Sequence, residues 1–226
     1  MSTSKVKLVS YTQGVGELFD KGPEELITYT ARVSNPSNQM NMETSPKLLA
    51  YLIKNRHWSP FEMASMTVEI VTSRGIAAQI LRHRSFSFQE FSQRYATAQS
   101  QIVYPARRQD QKNRQNSIDD MSSEDKDWFH KAQLQVNKLN GELYQEALNR
   151  GIAKEQARFL LPLSTETKIY MTGSVRSWLH YIDIRADKAT QLEHREIAEG
   201  IKAIFVETMP NIAEAMGWKN NDKTNG

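Results

Sequence analysis

Apolar positions along this chain recur in two periods, and the changes between them predict its elements. Lys5–Tyr11 alternates, with Val6 and Leu8 on one face, and reads as an opening strand. Residues 23–33 read as a helix that starts on Pro23, with Glu24 and Glu25 at its positive end. Residues 34–42 are rich in Asn and Ser and read as a loop. Ser45 is expected to cap a second helix with Pro46 in its first turn, and Leu48, Leu49, Leu52 and Ile53 mark its buried face. Residues 67–72 alternate again, with Met66, Val68 and Ile70 on one side, and predict a second strand. Residues 73–83 then predict a helix that carries Gln79, Arg82 and His83 on one polar face, delivered to a loop from Arg84.

The second half is mostly helical in period. Residues 106–120 are polar, with mixed charge and no periodicity, and predict an exposed, mobile loop. Ser122 or Ser123 is expected to cap a long helix through Arg150, ended by Gly151. A shorter helix over 154–161 should stop at Pro162, and 168–171 reads as a strand. Val175, Trp178, Leu179 and Ile182 give an amphipathic helix that leads to Arg185. Ile197, Ile201, Ile204 and Phe205 are the buried face of a last helix over 190–208, and residues 216–226 read as a frayed tail. Strands and helices mix, with helix in excess, and no repeat or linker divides them. The pattern predicts one α/β domain over 1–226.

The chain of 226 residues is long enough for one substantial core. Hydrophobic residues make up 39% and the mean hydropathy is negative, which is the balance of a water-soluble protein. No apolar run approaches the ~20 residues of a membrane span. The opening Met1-Ser2-Thr3-Ser4-Lys5 has no apolar signal-peptide core, so a cytoplasmic location is expected. The net charge of +3 is too small to announce a nucleic-acid binder. The absence of cysteine excludes disulfides, thiolate metal sites and cysteine nucleophiles, and no metal-ligand spacing is visible, so no metal is expected.

Positive charge is instead concentrated locally. Arg82-His83-Arg84 is followed by Ser85, Phe86, Ser87, Phe88, Gln89, Glu90, Phe91, Ser92, Gln93, Arg94 and Tyr95. Guanidinium groups form a fixed fork of donors that suits phosphate, and aromatic faces beside them suit a flat heterocycle. The run therefore looks built for a nucleotide. An Arg-x-Arg alone would read more simply as a solvated basic helix end.

The whole run resembles the signature of the flavin-dependent thymidylate synthases: Arg-His-Arg, seven intervening residues, then Ser and an Arg two positions on. Arg82, His83, Arg84, Ser92 and Arg94 fill it, and Glu90 and Tyr95 also match. Further similar blocks stand in family order on both sides. They are Ala31-Arg32-Val33-Ser34, His57 to Glu62, Ala157 to Leu163, and Arg176 through Arg185-Ala186-Asp187, so residues 5–215 look covered.

The resemblance implies reductive methylation of dUMP to dTMP. It implies 5,10-methylenetetrahydrofolate as carbon donor, FAD as flavin and NADPH as reductant, without the cysteine thiolate that the conventional route needs. It implies that Gln79, Arg82, Glu90, Phe91, Ser92, Gln93, Arg94, Arg158 and Arg185 bind dUMP. Arg185 is the expected catalytic residue, because a guanidinium can favour negative charge on the uracil ring without titrating. Taken alone, Arg185 would read as a surface arginine paired to Asp183 or Asp187. Flavin contacts are implied at Ser34, Ser59, Glu62, Arg82, His83, Arg84, Glu90, Ser174, Arg176 and His180, and folate positioning at His57. In isolation Ser34 or Ser59 would mean a helix cap and His57 a structural histidine. Ser92 is expected to bind substrate and not to attack it, since no base for it is recognisable. Met63 and Ser174 depart from the family's common histidine and asparagine. His130 and His194 receive no role.

The resemblance also implies a homotetramer with active sites shared between chains, acting on small molecules, with no nucleic-acid or membrane partner. Two other readings stay open on the residues. One is a single-stranded nucleic-acid module in which Phe86, Phe88 and Phe91 stack bases. The other is a nucleotide-binding relative without turnover.

Overall fold

The computed structural model describes residues 5–97 and 100–218. Strands β1 (Lys5–Tyr11), β2 (Ser65–Ser73), β3 (Ser87–Glu90) and β6 (Glu166–Ser174) form an antiparallel sheet in the order β1-β2-β6-β3. The central pair is in continuous register from Ser65↔Ser174 to Ser73↔Glu166. Both central strands run further than the alternation in 67–72 and 168–171 predicted. Pairing extends a strand past the residues whose side chains happen to alternate.

One face of the sheet carries Met66, Val68, Ile70, Ile169 and Met171, all essentially inaccessible to solvent. Helices α1 (Pro23–Ala31), α2 (Ser45–Lys54), α3 (Arg74–Ile80), α6 (Val175–Arg185), α7 (Leu192–Thr208) and α8 (Pro210–Ala215) join that face in one apolar core. Trp178 anchors the centre of it. Its indole nitrogen donates to the Met66 carbonyl at 2.9 Å, so the largest core side chain leaves no polar atom unpaired. Gly173 is required here: a Cβ would stand 2.5 Å from the Phe86 ring, which stacks edge-on against Trp178 at 4.6 Å. Phe86 is therefore core, which removes it from any base-stacking surface.

Several elements differ from the sequence expectation. Helix α3 stops at Ile80, so Arg82 and His83 lie beyond it in a turn and do not share a face with Gln79. β3 lies inside the stretch expected to be loop. Ser45 is inside α2; the capping position is Thr44, whose hydroxyl receives a bond from Arg32 at 2.7 Å and is unavailable as a cap. The 106–120 segment holds a short hairpin, β4 (Arg108–Gln109) with β5 (Ser117–Ile118), tied by Arg108 to Asp120.

The long helix is α4 (Ser123–Asn149). Its cap is Ser122, whose hydroxyl accepts the Asp125 N–H at 3.0 Å, and Gly151 follows its end with φ +79°. The helix expected over 154–161 is a short turn, α5 (Lys154–Ala157), followed by a 3-10 turn. α7 is not the last helix. Met209 breaks it before Pro210, and Glu24 caps α8 by accepting the Ile212 N–H at 2.7 Å. Of the expected tail, Trp218 is buried and packs edge-on against Phe205 at 5.6 Å, whereas 219–226 fall outside the described residues. No helix among the described residues is long and apolar enough to cross a membrane.

Candidate active site

Helix α6 organises the first part of the site. Ser174 caps it, its hydroxyl accepting the Ser177 N–H at 3.3 Å. Eleven residues later the helix ends at Arg185. The Arg185 Nε–H donates to His83 Nε2 at 2.9 Å, a contact across more than a hundred residues of sequence. The expected alternative partners, Asp183 and Asp187, are not what holds it. His83 must present a lone pair at Nε2 to accept that bond. Burial, reinforced by the positive charge of Arg185 and then by His180, holds the imidazole down to about 4. The ring is therefore neutral at physiological pH, and no carboxylate among the described residues pairs with the Arg185 guanidinium beside it. His83 also stands edge-on to Tyr181 at 4.8 Å, and Tyr181 shares a hydrogen bond of 3.0 Å with His194.

The next part of the site is a cavity of about 590 Å³ lined by Trp58, Glu62, Ser85, Arg176, His180 and Asp183, among others. It gathers Glu62, Arg176 and His180, all named from the sequence as flavin contacts. Arg176 pairs with Glu62 at 3.0 Å while remaining exposed. A volume of this size, with an aromatic wall and an accessible guanidinium, lies in the range of small-molecule and cofactor sites. Ser59 lines a separate cavity of about 450 Å³ with Tyr29, Val33 and Met63, and Ser34 is the exposed residue next to Val33. Ser59 thus lines a different cavity from Arg176, although its neighbour Trp58 lines the Arg176 one. Ser174 is occupied as a helix cap. His57 is exposed, edge-on to Tyr51 at 5.9 Å, directly before Trp58.

The remaining dUMP candidates, and Arg84 with them, are spread over several elements, some exposed and some buried. Arg94 pairs with the Glu155 carboxylate at 3.2 Å, and Arg158 donates from Nε to the Glu155 carbonyl at 3.2 Å. Ser92 Oγ accepts the Arg94 backbone N–H at 3.3 Å, a turn contact that supplies no base for nucleophilic attack. Gln93 is buried, and its amide nitrogen has no hydrogen-bond partner among the described residues, so a ligand acceptor would satisfy it. Phe91, Arg82 and Arg84 are exposed. Glu90 is tied to Arg74 at 2.8 Å and to Thr167 at 2.9 Å. Gln79 stands on the α7 side and donates to Gln191 at 2.6 Å, which in turn donates to Glu193 at 2.8 Å.

Sequence reasoning missed Tyr181, His194, Gln191 and Glu155. Tyr181 lies four residues before Arg185 on one helix, so helical spacing could have paired them. Glu155 lies three before Arg158 and carried the same signal. His194 carried none, because its partner comes from another helix.

The family model described as thymidylate synthase complementing protein (Thy1) matches residues 7–211. A Synechocystis protein named flavin-dependent thymidylate synthase is 57% identical over 87% of this chain and 90% of its own length. A protein of Paramecium bursaria Chlorella virus 1, named "Probable flavin-dependent thymidylate synthase", is 53% identical over 94% of this chain and 98% of its own. Among solved structures, a UMP/dUMP methylase, PolB, from Streptomyces cacaoi bound with 5-Br dUMP superposes with a TM-score of 0.82. It is 27% identical, and the match covers 96% of this chain and 95% of that one. The Arg-His-Arg run therefore sits within a likeness that extends along nearly the whole length, and the chain belongs to the flavin-dependent thymidylate synthase family.

Proposed function

We propose that this chain converts dUMP to dTMP by reductive methylation, with 5,10-methylenetetrahydrofolate as carbon donor, FAD as flavin and NADPH as reductant. The observation that carries the reading is the Arg185 guanidinium, which is hydrogen-bonded to a neutral imidazole. A cation held without a carboxylate partner is suited to negative charge that develops on a pyrimidine ring.

The other residues bind and orient. Arg94 and Arg158 offer fork-shaped donors for the phosphate, and Ser92 a hydroxyl. The buried Gln93 amide offers a donor with no acceptor among the described residues. Gln79, Arg82, Glu90 and Phe91 complete the dUMP set. The residues around the larger cavity fit a flavin: Trp58 and His180 give flat walls, and Arg176, with Glu62, gives charge. Arg82, His83, Arg84, Glu90, Ser34, Ser59 and Ser174 complete the flavin set, and His57 positions folate. Bound there, the flavin supplies the redox chemistry that lets a cysteine-free chain dispense with thiolate attack.

Assembly as a homotetramer with shared sites belongs to the same reading. Arg94 and Arg158 meet on Glu155, whereas Arg185 meets His83, so the two halves of the dUMP set have separate anchors. The surface also offers apolar area for a second copy. On α4, Val136, Leu139 and Leu143 fall at i, i+3 and i+7 and are 51%, 55% and 45% exposed. Phe159 and Leu163, beside Arg158, are 76% and 75% exposed.

The test is the absorption spectrum of the purified protein with FAD, followed by dTMP formation from dUMP, 5,10-methylenetetrahydrofolate and NADPH. A flavin spectrum with dTMP formation is expected. Protein that takes up no FAD even with dUMP present overturns the reading.

A further inference from the structure

His194 and Tyr181 are buried polar groups that the reaction as described above does not use. Both are completely shielded from solvent, one on α7 and the other on α6. They share a 3.0 Å hydrogen bond, in which either atom can donate, and His194 Nδ1 has no partner among the described residues. Burying an imidazole with one nitrogen unpaired is destabilising. An apolar pair of similar shape would fill the same space without that penalty. The pair stands next to His83: the His83 ring is edge-on to Tyr181 at 4.8 Å and lies 6.2 Å from His194 at 83° between planes. His83 in turn takes the Arg185 Nε–H.

We propose that Tyr181 and His194 are positioning residues for Arg185: their hydrogen bond fixes the Tyr181 ring, that ring fixes His83, and His83 fixes the guanidinium. The proposal rests on the reading of Arg185 as the group that stabilises charge on the pyrimidine. Two geometric facts support it. The bond crosses from α7 to α6 at the level of the His83 ring. Phe86 closes a further side, edge-on to Tyr181 at 5.8 Å and to His83 at 6.5 Å, so the imidazole is held among rings. Burial also keeps His83 neutral, so its Nε2 retains the lone pair that accepts from Arg185. A guanidinium offset by a fraction of an ångström from its productive place loses catalysis while leaving ligand affinity largely intact.

The experiment compares Tyr181→Phe, His194→Leu and the double variant, using the full chain with FAD bound. Each is measured for thermal stability, for kcat and KM toward dUMP, and by nitrogen-15 NMR of the histidine rings, with Arg185→Ala as reference. Each single variant strands a polar partner and should lower both stability and kcat. The double variant removes both partners, so its stability should return toward that of the parent. Its kcat should stay roughly three- to tenfold down, the scale of one lost hydrogen bond, with KM for dUMP little changed. The His83 signals should lose the fixed pattern of a proton on Nδ1 and an acceptor at Nε2 in all three variants. A double variant with the parent kcat and an unchanged His83 spectrum overturns the proposal and leaves the pair a packing feature. If Arg185→Ala itself keeps normal turnover, the reading of Arg185 has failed instead, and the His83 spectrum still decides whether the pair orders the ring.

Discussion

Arg185 and Arg158 are both assigned to dUMP, yet they occupy opposite kinds of environment. Arg185 ends a helix whose other face is the centre of the core, and its partner His83 is wedged against the buried Tyr181 ring. Arg158 lies in a 3-10 turn on the surface. Its guanidinium bonds a backbone carbonyl three residues back and leans on Phe159, itself 76% exposed, at 5.5 Å. The first arginine is oriented by the fold of one chain before any ligand arrives. The second is held by contacts within its own turn. The difference teaches that preorganisation is distributed unevenly within the proposed binding set: the arginine proposed to meet developing charge is pinned, and the arginine proposed to grip phosphate is left adaptable.

The largest effect should come from undermining the pinned region. Trp178→Ala removes the ring that Phe86 and Tyr181 pack against, and the cavity should destabilise the chain by about 3–5 kcal/mol. Phe159→Ala, in the exposed region, should move stability by no more than about 0.5 kcal/mol. Urea unfolding of both variants checks the contrast, and equal losses would erase it.

Next in size is Arg185→Ala. Losing a preorganised donor at developing charge should lower kcat on the order of a hundredfold, and Arg185→Lys should recover only part, because an ammonium lacks the planar fork. The comparison sharpens when Arg158→Ala and Arg185→Ala chains are co-expressed in equal amounts. If the two arginines serve one site from different chains across a two-fold interface, about a quarter of sites hold both, and activity should reappear in the mixture. Verified mixed assemblies with no recovery would place both arginines in one chain's site.

An effect is also expected from pH. His83 and His194 are depressed to about 4 and about 3 from an unfolded value of 6.5, so the folded chain binds fewer protons than the unfolded one between those values. The stability this provides is complete above pH 6.5 and is lost as pH falls toward 4. Denaturant midpoints should therefore decline over that window, and His194→Leu should flatten the decline. A midpoint that stays level from pH 6.5 to 4 would show that the rings are solvated.

Much of this arrangement was legible in the residues. Apolar alternation and helical spacing located β1, β2, β6, α1, α2, α4, α6 and α7 to within a few positions, because each buries one face and must repeat with its own period. The elements that escaped are those held by distant partners. β3 exists because Ser87–Glu90 pairs with β6, across some eighty residues of chain. α8 starts where Glu24 reaches it from the first helix. The 106–120 hairpin is tied by arginine–carboxylate and asparagine contacts that have no periodic signature.

The same division holds at the site. The residue types that can grip phosphate, flank a flavin and stabilise charge on a ring, and the absence of any thiol, were determined by the sequence alone, since chemistry and motif spacing are local properties. Which of those residues meet was decided only by the tertiary structure. The expectation that Gln79, Arg82 and His83 share a helical face failed, because α3 ends at Ile80 and the turn after it sends His83 toward Tyr181. Arg185 found its partner in that displaced imidazole, when the neighbouring sequence had offered Asp183 and Asp187. Hydrogen bonds and ring contacts act over a few ångströms of space and are indifferent to separation along the chain. The partners of Arg185, Tyr181 and His194 became definite only once α6, α7 and the turn after α3 had come together in the fold.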